Sequence, residues 1–472
     1  MPAPVMAMFT LIPRNSAATI QTNPQTQRFE TEGARSMLFH GTPFRGTPKM
    51  SQRLRCAAMG ALVTAAMIAP ATVAAQQDRQ AQSVAQRNAP EFTRRPLRAG
   101  AFELFPSIQV DTEYNDNVFA LPNNEIDDAI IFIRPELLVR RGTPTSETRV
   151  QLQANIRQFL DINTEDSEQY TGSISTRQGV GTGTEWGLNA SVSQNFEQRR
   201  EIDSFNEAGE PVTFVQYRAG ANVTQDFGPL RVNVGGSARA VRYDGVFEED
   251  GLLLDLSFRD FEVYQGQARA SFRRSENQEI YLQVTADTRR FQLAPLFVNG
   301  LIVDVEGIDR SSRGGRVELG YRRQLTELLN LDLRAGYFLQ DFDDPDLNNT
   351  SGLAFQGDVL WNATPLTSVR FSGVRQVDQS VNPQFNGVVR TEARVQVEHE
   401  LRRNIILIGR AGFADFNRLE STNDGDQYTI GVQAEYLISR PWRLTFDAEH
   451  FNRGGFVDFE QNTARLGVRY NF

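Results

Sequence analysis

The side chains best suited to acid–base, nucleophilic or metal chemistry are few in this sequence and poorly placed for it. The histidines are His40, His399 and His450, and Cys56 is the single cysteine. A hydrolase needs a nucleophile and a base on one face, and zinc needs clustered His or Cys at short spacing. Neither pattern occurs. His399 and His450 fall on the apolar side of their surrounding stretches, which suits a rim position better than a catalytic base. Two acidic runs, Asp341, Asp343, Asp344 and Asp346, then Glu248, Glu249 and Asp250, lack the spacing of a calcium loop. Solvated loops explain them, with bound divalent cations as the alternative. No enzymatic activity, cofactor or metal is expected.

What the chain does carry is arginine. Lys and Arg total 49 against 58 Asp and Glu, a net charge of -9. Lys49 is the only lysine. This balance makes nucleic acid a poor partner. Many of these charges alternate with apolar residues. One such set comprises Arg231, Arg239, Arg269, Arg273, Arg289, Arg334, Arg394, Arg465 and Arg469, with Asp287, Asp332, Asp447, Glu392, Glu398, Glu435 and Glu449. On a wet inner wall these groups would pair across strands and stiffen it. Alternatively, some would line a path for a polar or charged solute.

The elements that position them follow from the alternation. Ile280, Leu282, Val284 and Ala286 interleave with Tyr281, Gln283, Thr285 and Asp287, and the chain ends TARLGVRYNF on the same rhythm. Successive strand side chains point to opposite faces, so each stretch has one oily and one polar face. These stretches are longer than the roughly 5–6 residues usual in soluble strands and match the roughly 9–11 that cross a bilayer. Short connections (Asp226–Pro229, Ser275–Asn277, Thr364–Pro365, Ser439–Pro441) alternate with long ones (Asn115–Asp127, Glu197–Pro211, Asp244–Asp255, Ala294–Gly307), as periplasmic turns and outer loops do. The expected fold is all-β: a single antiparallel outer-membrane barrel of about eighteen strands, with sixteen as the alternative because the stretches near residues 133 and 172 are weak. Pro135 suits an edge or irregular position. An open edge in lipid would strand unpaired amides, so the sheet must close. Tyr470 and Phe472 then end its last strand, and the partners expected are outer-membrane lipid, lipopolysaccharide and the machinery that assembles barrels.

Ahead of the barrel, residues 50–75 have the order of a signal peptide: Arg53 and Arg55, an apolar run, then small residues before Gln76. Residues 1–49 read as an extension outside the natural start, 76–103 as a flexible periplasmic arm, and 104–472 as the barrel.

The stretch FELFPSIQVDTEYNDNVFA, Phe102 to Ala120, resembles the opening of a family of outer-membrane β-barrels known as putative beta-barrel porin 2, with Tyr114, Asp116, Asn117, Val118 and Phe119 filling its signature. Many members are encoded beside exopolysaccharide genes, so the resemblance implies a conduit or accessory role in polysaccharide export, with the polymer and periplasmic export components as partners. A general diffusion porin and a non-conducting structural or binding barrel are the alternatives. Tyr114 and Phe119 would sit in the outer aromatic girdle, and Asp116 and Asn117 would form a turn.

Overall fold

The computed structural model describes residues 82–87, 89–201, 209–247, 253–275, 277–292, 294–298, 301–326, 328–378, 387–418, 424–455 and 457–472, with the backbone alone for 247, 253–254, 294–298 and 301–308. The proposed extension and signal peptide, Cys56, His40 and the Glu248–Asp250 run lie outside these residues.

Eighteen strands form the barrel: β1 Phe102–Asn115, β2 Asp128–Thr143, β3 Ser146–Phe159, β4 Ser167–Gln178, β5 Thr184–Phe196, β6 Thr213–Phe227, β7 Leu230–Tyr243, β8 Phe261–Ser275, β9 Gln278–Phe291, β10 Ser312–Thr326, β11 Leu329–Phe342, β12 Thr350–Thr364, β13 Thr367–Asp378, β14 Val388–Arg402, β15 Ile405–Arg418, β16 Gly425–Leu437, β17 Trp442–Gly454 and β18 Phe459–Asn471. Each pairs antiparallel with its sequence neighbours, and β18 pairs back onto β1 from Ser107↔Asn471 to Asn115↔Thr463. Closure leaves the backbone amides of both terminal strands bonded, which is the condition for sitting in lipid.

The stretches near 133 and 172 are full strands, so the count is eighteen rather than sixteen. Pro135 lies within the 16-residue β2. It pairs with Ile108 on the β1 side, whereas the β2–β3 ladder passes from Ile133↔Ile156 to Glu136↔Gln153. Lacking an N–H, proline interrupts one side of the ladder and leaves the other intact.

One face of each strand is apolar and exposed: Val234, Leu319, Leu353, Ile430 and Leu466 are each more than half exposed. That is the surface expected against hydrocarbon and a liability in water. Trp186, Trp361 and Trp442 are exposed beside the short turns, and Trp442, Tyr470 and Phe472 form an aromatic cluster there (ring centroids 4.7 and 4.9 Å). Tyr114, Tyr264 and Tyr337 mark the opposite rim. Aromatic belts at both ends fit the two membrane–water interfaces.

At the long-loop end, Ala294–Val298 pairs with Leu301–Ile308 in a hairpin of its own, and a buried cluster of Val212, Val246 and Leu256 packs neighbouring loops together. At the short-turn end, the chain ahead of β1 is held to the barrel. Leu97–Ala99 pairs with Phe102–Leu104. The sequence predicts a loose arm; its described residues from 82 onward dock.

Candidate functional site

The register turns the polar set inward. Asp111, on the inner face of β1, pairs with Arg134 at 2.7 Å, and opposite it in β18 stands Gly467. A Cβ on Gly467 would lie 1.9 Å from the Asp111 Oδ1, so glycine leaves room for this carboxylate at the seam. From this point the inward groups of β14–β18, β1 and β2 form a ladder of charge pairs. Arg465 reaches Glu113 (Nε to Oε2, 2.7 Å) and Arg469 reaches Glu136. Arg410 holds both Asp447 (2.6 Å) and Glu449 (3.0 Å), Arg443 holds Glu435 (3.2 Å), and Arg390 and Arg394 share Glu392.

A second network lies on β8–β12. Tyr281, 1% exposed, lies over Gly320, where a Cβ would meet its ring at 2.1 Å. Its hydroxyl donates to Asp332 (2.6 Å), which also pairs with Arg322 (2.5 Å). Arg269 stacks on the same ring at 4.2 Å and donates to Gln283 (2.6 Å). Arg334 bridges Glu318 (3.2 Å) and Gln356. Arg289 pairs with Asp287 (2.9 Å), Arg239 stacks on Phe261 (5.0 Å), and Arg231 and Arg273 share Asp226 near the β6–β7 turn. Between these networks, β5–β9 present smaller neutral groups inward: Asn189, Asn222, Ser237, Gln265, Gln267 and Thr285 border a cavity of about 340 Å³ at mid-height.

All sixteen charged residues singled out from the sequence therefore stand on the inner face. Sequence reading omitted Asp111, Arg134, Arg390 and Arg410, which share it. Their strands also turn apolar groups inward, such as Ile130 and Phe132 on β2 and Ile406 on β15, and this blurs the alternation. Counting parity from the exposed Val395 and Val397 would have recovered Arg390.

Both ends of the lumen are narrowed. In the β5–β6 loop, Arg199 pairs with Glu165 (2.6 Å), Glu197 with Arg259 (2.6 Å), and Arg200 reaches Glu449 on β17 (3.1 Å). Arg453 donates to the carbonyl of Arg200. This loop thus folds inward to the opposite side of the seam. At the other mouth, the 3-10 turn Val84–Gln86 is bound through its backbone: Val84 N–H donates to Ser368 Oγ (2.9 Å) and Ala85 N–H to Glu398 (2.7 Å). Arg94 stacks on Phe105 (5.1 Å) and Glu91 pairs with Arg403 (2.6 Å). Glu91's own backbone N–H and then Arg403 hold its carboxyl below the usual range. Glu398 thereby serves as an anchor for this segment as well as a wall group.

The signature residues lie at the seam and in the turn that follows β1, where Ala120 N–H donates to the Asn117 carbonyl (3.3 Å) and Leu121 N–H to the Asn117 Oδ1 (2.9 Å). Asp116 accepts from Asn462 N–H (2.6 Å) and from its side-chain amide (2.7 Å). Asn117, fully buried, donates to the carbonyls of Leu121 and Glu460 (2.8 Å each), and its own carbonyl accepts from Gln461 (2.7 Å). Val118 packs with Ile130, Phe132 and Phe159, and Phe119 joins this inward cluster instead of the girdle. Tyr114 is on the outer face, bonded to Asp127 (3.0 Å).

His399 and His450 bond Thr367 (3.0 Å) and Asn462 (2.8 Å) near the two rims. Asp343 lies 3.9 Å from Arg313, and Asp344 accepts from the backbone of Asp309 (3.2 Å) and Asp346 (2.9 Å). Among the described residues no group of three or more His, Cys, Asp and Glu could hold a metal.

No curated protein is detectably similar in sequence. Solved structures with a similar chain course include the siderophore receptor PirA of Acinetobacter baumannii (9% identity, 78% of this chain and 80% of that one, TM-score 0.44). Others are the outer membrane protein opdK of Pseudomonas aeruginosa (12%, 78% and 98%, 0.41) and a BenF-like porin of Pseudomonas fluorescens Pf-5 (10%, 78% and 99%, 0.42). The profile described as putative beta-barrel porin 2 matches residues 90–472, more than three quarters of the chain, and with the closed eighteen-strand barrel this places the protein in that family of outer-membrane porins.

Proposed function

We propose that this barrel is a conduit, or a passage-forming accessory, for an exopolysaccharide leaving the cell, and not a catalyst. The observation that carries the reading is the lumen wall at mid-height. Asparagine, glutamine, serine and threonine on β5–β9 border a cavity in the same lumen as a ladder of paired charges on β14–β2. Amides and hydroxyls exchange hydrogen bonds with a hydrated sugar at little cost, because they replace water bond for bond. A barrel of this strand number is wide enough for an aqueous channel. Periplasmic export components would meet it at the short-turn mouth, where the docked segment from Ser83 presents itself. Lipopolysaccharide and membrane lipid would cover the apolar belt, and the assembly machinery would engage the Tyr470–Phe472 end.

The inward β5–β6 loop and the docked segment favour a second reading, a general porin for small polar solutes, since both narrow the path that a polymer needs. A clean deletion separates them. Loss of secreted polymer with normal small-solute uptake supports export; intact polymer with slowed uptake supports the porin. A barrel that conducts nothing in planar bilayers would instead be structural or binding.

A further inference from the structure

Around β14–β3, the arginines that face the lumen near the short-turn mouth are paired: Arg140 with Glu103 (2.6 Å), Arg443 with Glu435 (3.2 Å) and Arg469 with Glu136. At the outermost edge of the same rim the pattern breaks. Arg95, Arg98 and Arg402 are exposed and, among the described residues, make no hydrogen bond or ion pair. Arg98 stands across from Glu103, but Arg140 holds that carboxylate. Arg87 and Arg440 donate to the carbonyls of Pro365 and Pro90, neutral acceptors that leave their charge uncompensated. Arg141 stacks on Phe102 (5.9 Å). Glu91, the exposed carboxylate of the docked segment, is taken by Arg403 (2.6 Å). On the other half of the rim Arg231 and Arg273 share Asp226, and the turns that carry Arg274 and Arg323 also carry Glu276 and Glu327 in sequence. At the long-loop mouth the exposed charges include Asp127, Asp341, Asp426 and Glu460. The basic sector is therefore local, in a protein whose net charge is -9.

A second observation is independent of charge. Among the described residues, Leu97–Ala99 is paired on one side only, with Phe102–Leu104, and all three of its residues are exposed. A strand with a free edge presents N–H and C=O groups ready to pair with another chain. Arg98 lies in this strand and Arg95 two residues ahead of it.

We infer that this edge docks an acidic segment of a periplasmic protein. The segment adds a strand beside Leu97–Ala99, and its carboxylates are taken by Arg95 and Arg98 within the field of Arg141, Arg402 and Arg440. Strand addition supplies main-chain hydrogen bonds, and the guanidinium groups select carboxylates through charge-assisted bonds. An anionic polymer is less suited, because the lumen-facing arginines beside its path are already paired and a sugar chain cannot continue a β-ladder. Phospholipid headgroups would likewise leave the edge unpaired. The inference rests on the export reading in placing a partner at this mouth, and it names that partner's chemistry.

Fluorescence anisotropy on the full chain folded in a neutral detergent tests it, with labelled decapeptides of alternating Glu–Thr and alternating Lys–Thr as probes at low salt. The Glu–Thr peptide should bind about tenfold or more tightly than the Lys–Thr peptide, and the preference should shrink as salt rises. The Arg95→Gln/Arg98→Gln double variant should abolish the preference, while Arg290→Gln/Arg313→Gln, an equal loss of charge at the long-loop mouth, should keep it. A backbone N-methylated Glu–Thr peptide of the same charge should bind the unaltered barrel about tenfold more weakly, a readout that does not depend on any variant folding. Equal binding of the two peptides, no binding of either, undiminished binding of the methylated peptide, or the same effect of both double variants overturns the docking edge. Pentagalacturonate, which carries as many carboxylates, binding as tightly as the Glu–Thr peptide would assign the arginines to a polymer and overturn it too. Failure here is distinct from failure of the export reading. A deletion strain that still secretes normal polymer, beside a purified barrel that prefers the Glu–Thr peptide, removes the export role and leaves the docking edge standing.

Discussion

Asn117 concentrates more structural consequence than any other residue of the signature. Its side chain is fully buried, its amide bonds Leu121 and Glu460, and its main chain is tied to Asn115 and Gln461. These bonds join the first strand to the last, residues more than 340 positions apart in sequence. Asn117→Ala removes the amide and leaves buried carbonyls without a donor, a loss of about 1–3 kcal/mol. The urea midpoint of the barrel folded into vesicles should fall accordingly, and an unchanged midpoint would show that the seam does not depend on this clamp. Asp116→Ala should cost less, because its contacts to Asn462 are exposed to water.

Among the elements, the segment ahead of β1 is the one whose role departs furthest from its composition. It is rich in Gln, Arg and Ala and has no sustained apolar face, yet backbone N–H groups of Val84 and Ala85 are bound to inward side chains of β13 and β14. Removing residues 82–95 should widen the short-turn mouth without touching a barrel strand. Single-channel conductance should rise while heat-modifiable migration stays as in the full chain; equal conductance would make the segment an ornament of the rim. Acid should loosen it as well. The Glu91 carboxyl is held below its ordinary value, so its contribution is present above about pH 4 and is lost as pH falls through the lowered value.

For the molecule as a whole, the two faces of the sheet predict opposite responses to the same substitution. Leu319 is 62% exposed on the lipid face at the middle of β10, and arginine at such a depth costs about 2–4 kcal/mol. Leu319→Arg should lower folding stability in vesicles by that order. Arginine for Ser191, on the inner face of β5 opposite Arg218, meets water instead of lipid and should cost much less. Similar losses at both positions would mean that the apolar belt does not face hydrocarbon.

How far each level was legible follows from the range of the forces involved. Period-two alternation is local, because each side chain's face is fixed by its neighbours along the strand. The sequence alone therefore yields a barrel of about eighteen strands, with sixteen left open, the alternation of short and long connections, and a polar face that carries Arg269, Arg334 and Asp447. Which charge meets which depends on register between strands, so the pairing of Arg410 with Asp447 and Glu449, or of Arg465 with Glu113, waited for the closed sheet. The docking of Val84 and Ala85 was invisible for a different reason: it uses backbone donors, which every residue but proline carries. Phe119 illustrates the same limit in reverse, for its type suited a membrane girdle, but the neighbouring Val118, Ile130 and Phe159 gave it an apolar site inside. The mid-height cavity gathers residues from β5 to β14, and only closure of the sheet brings those strands around one space.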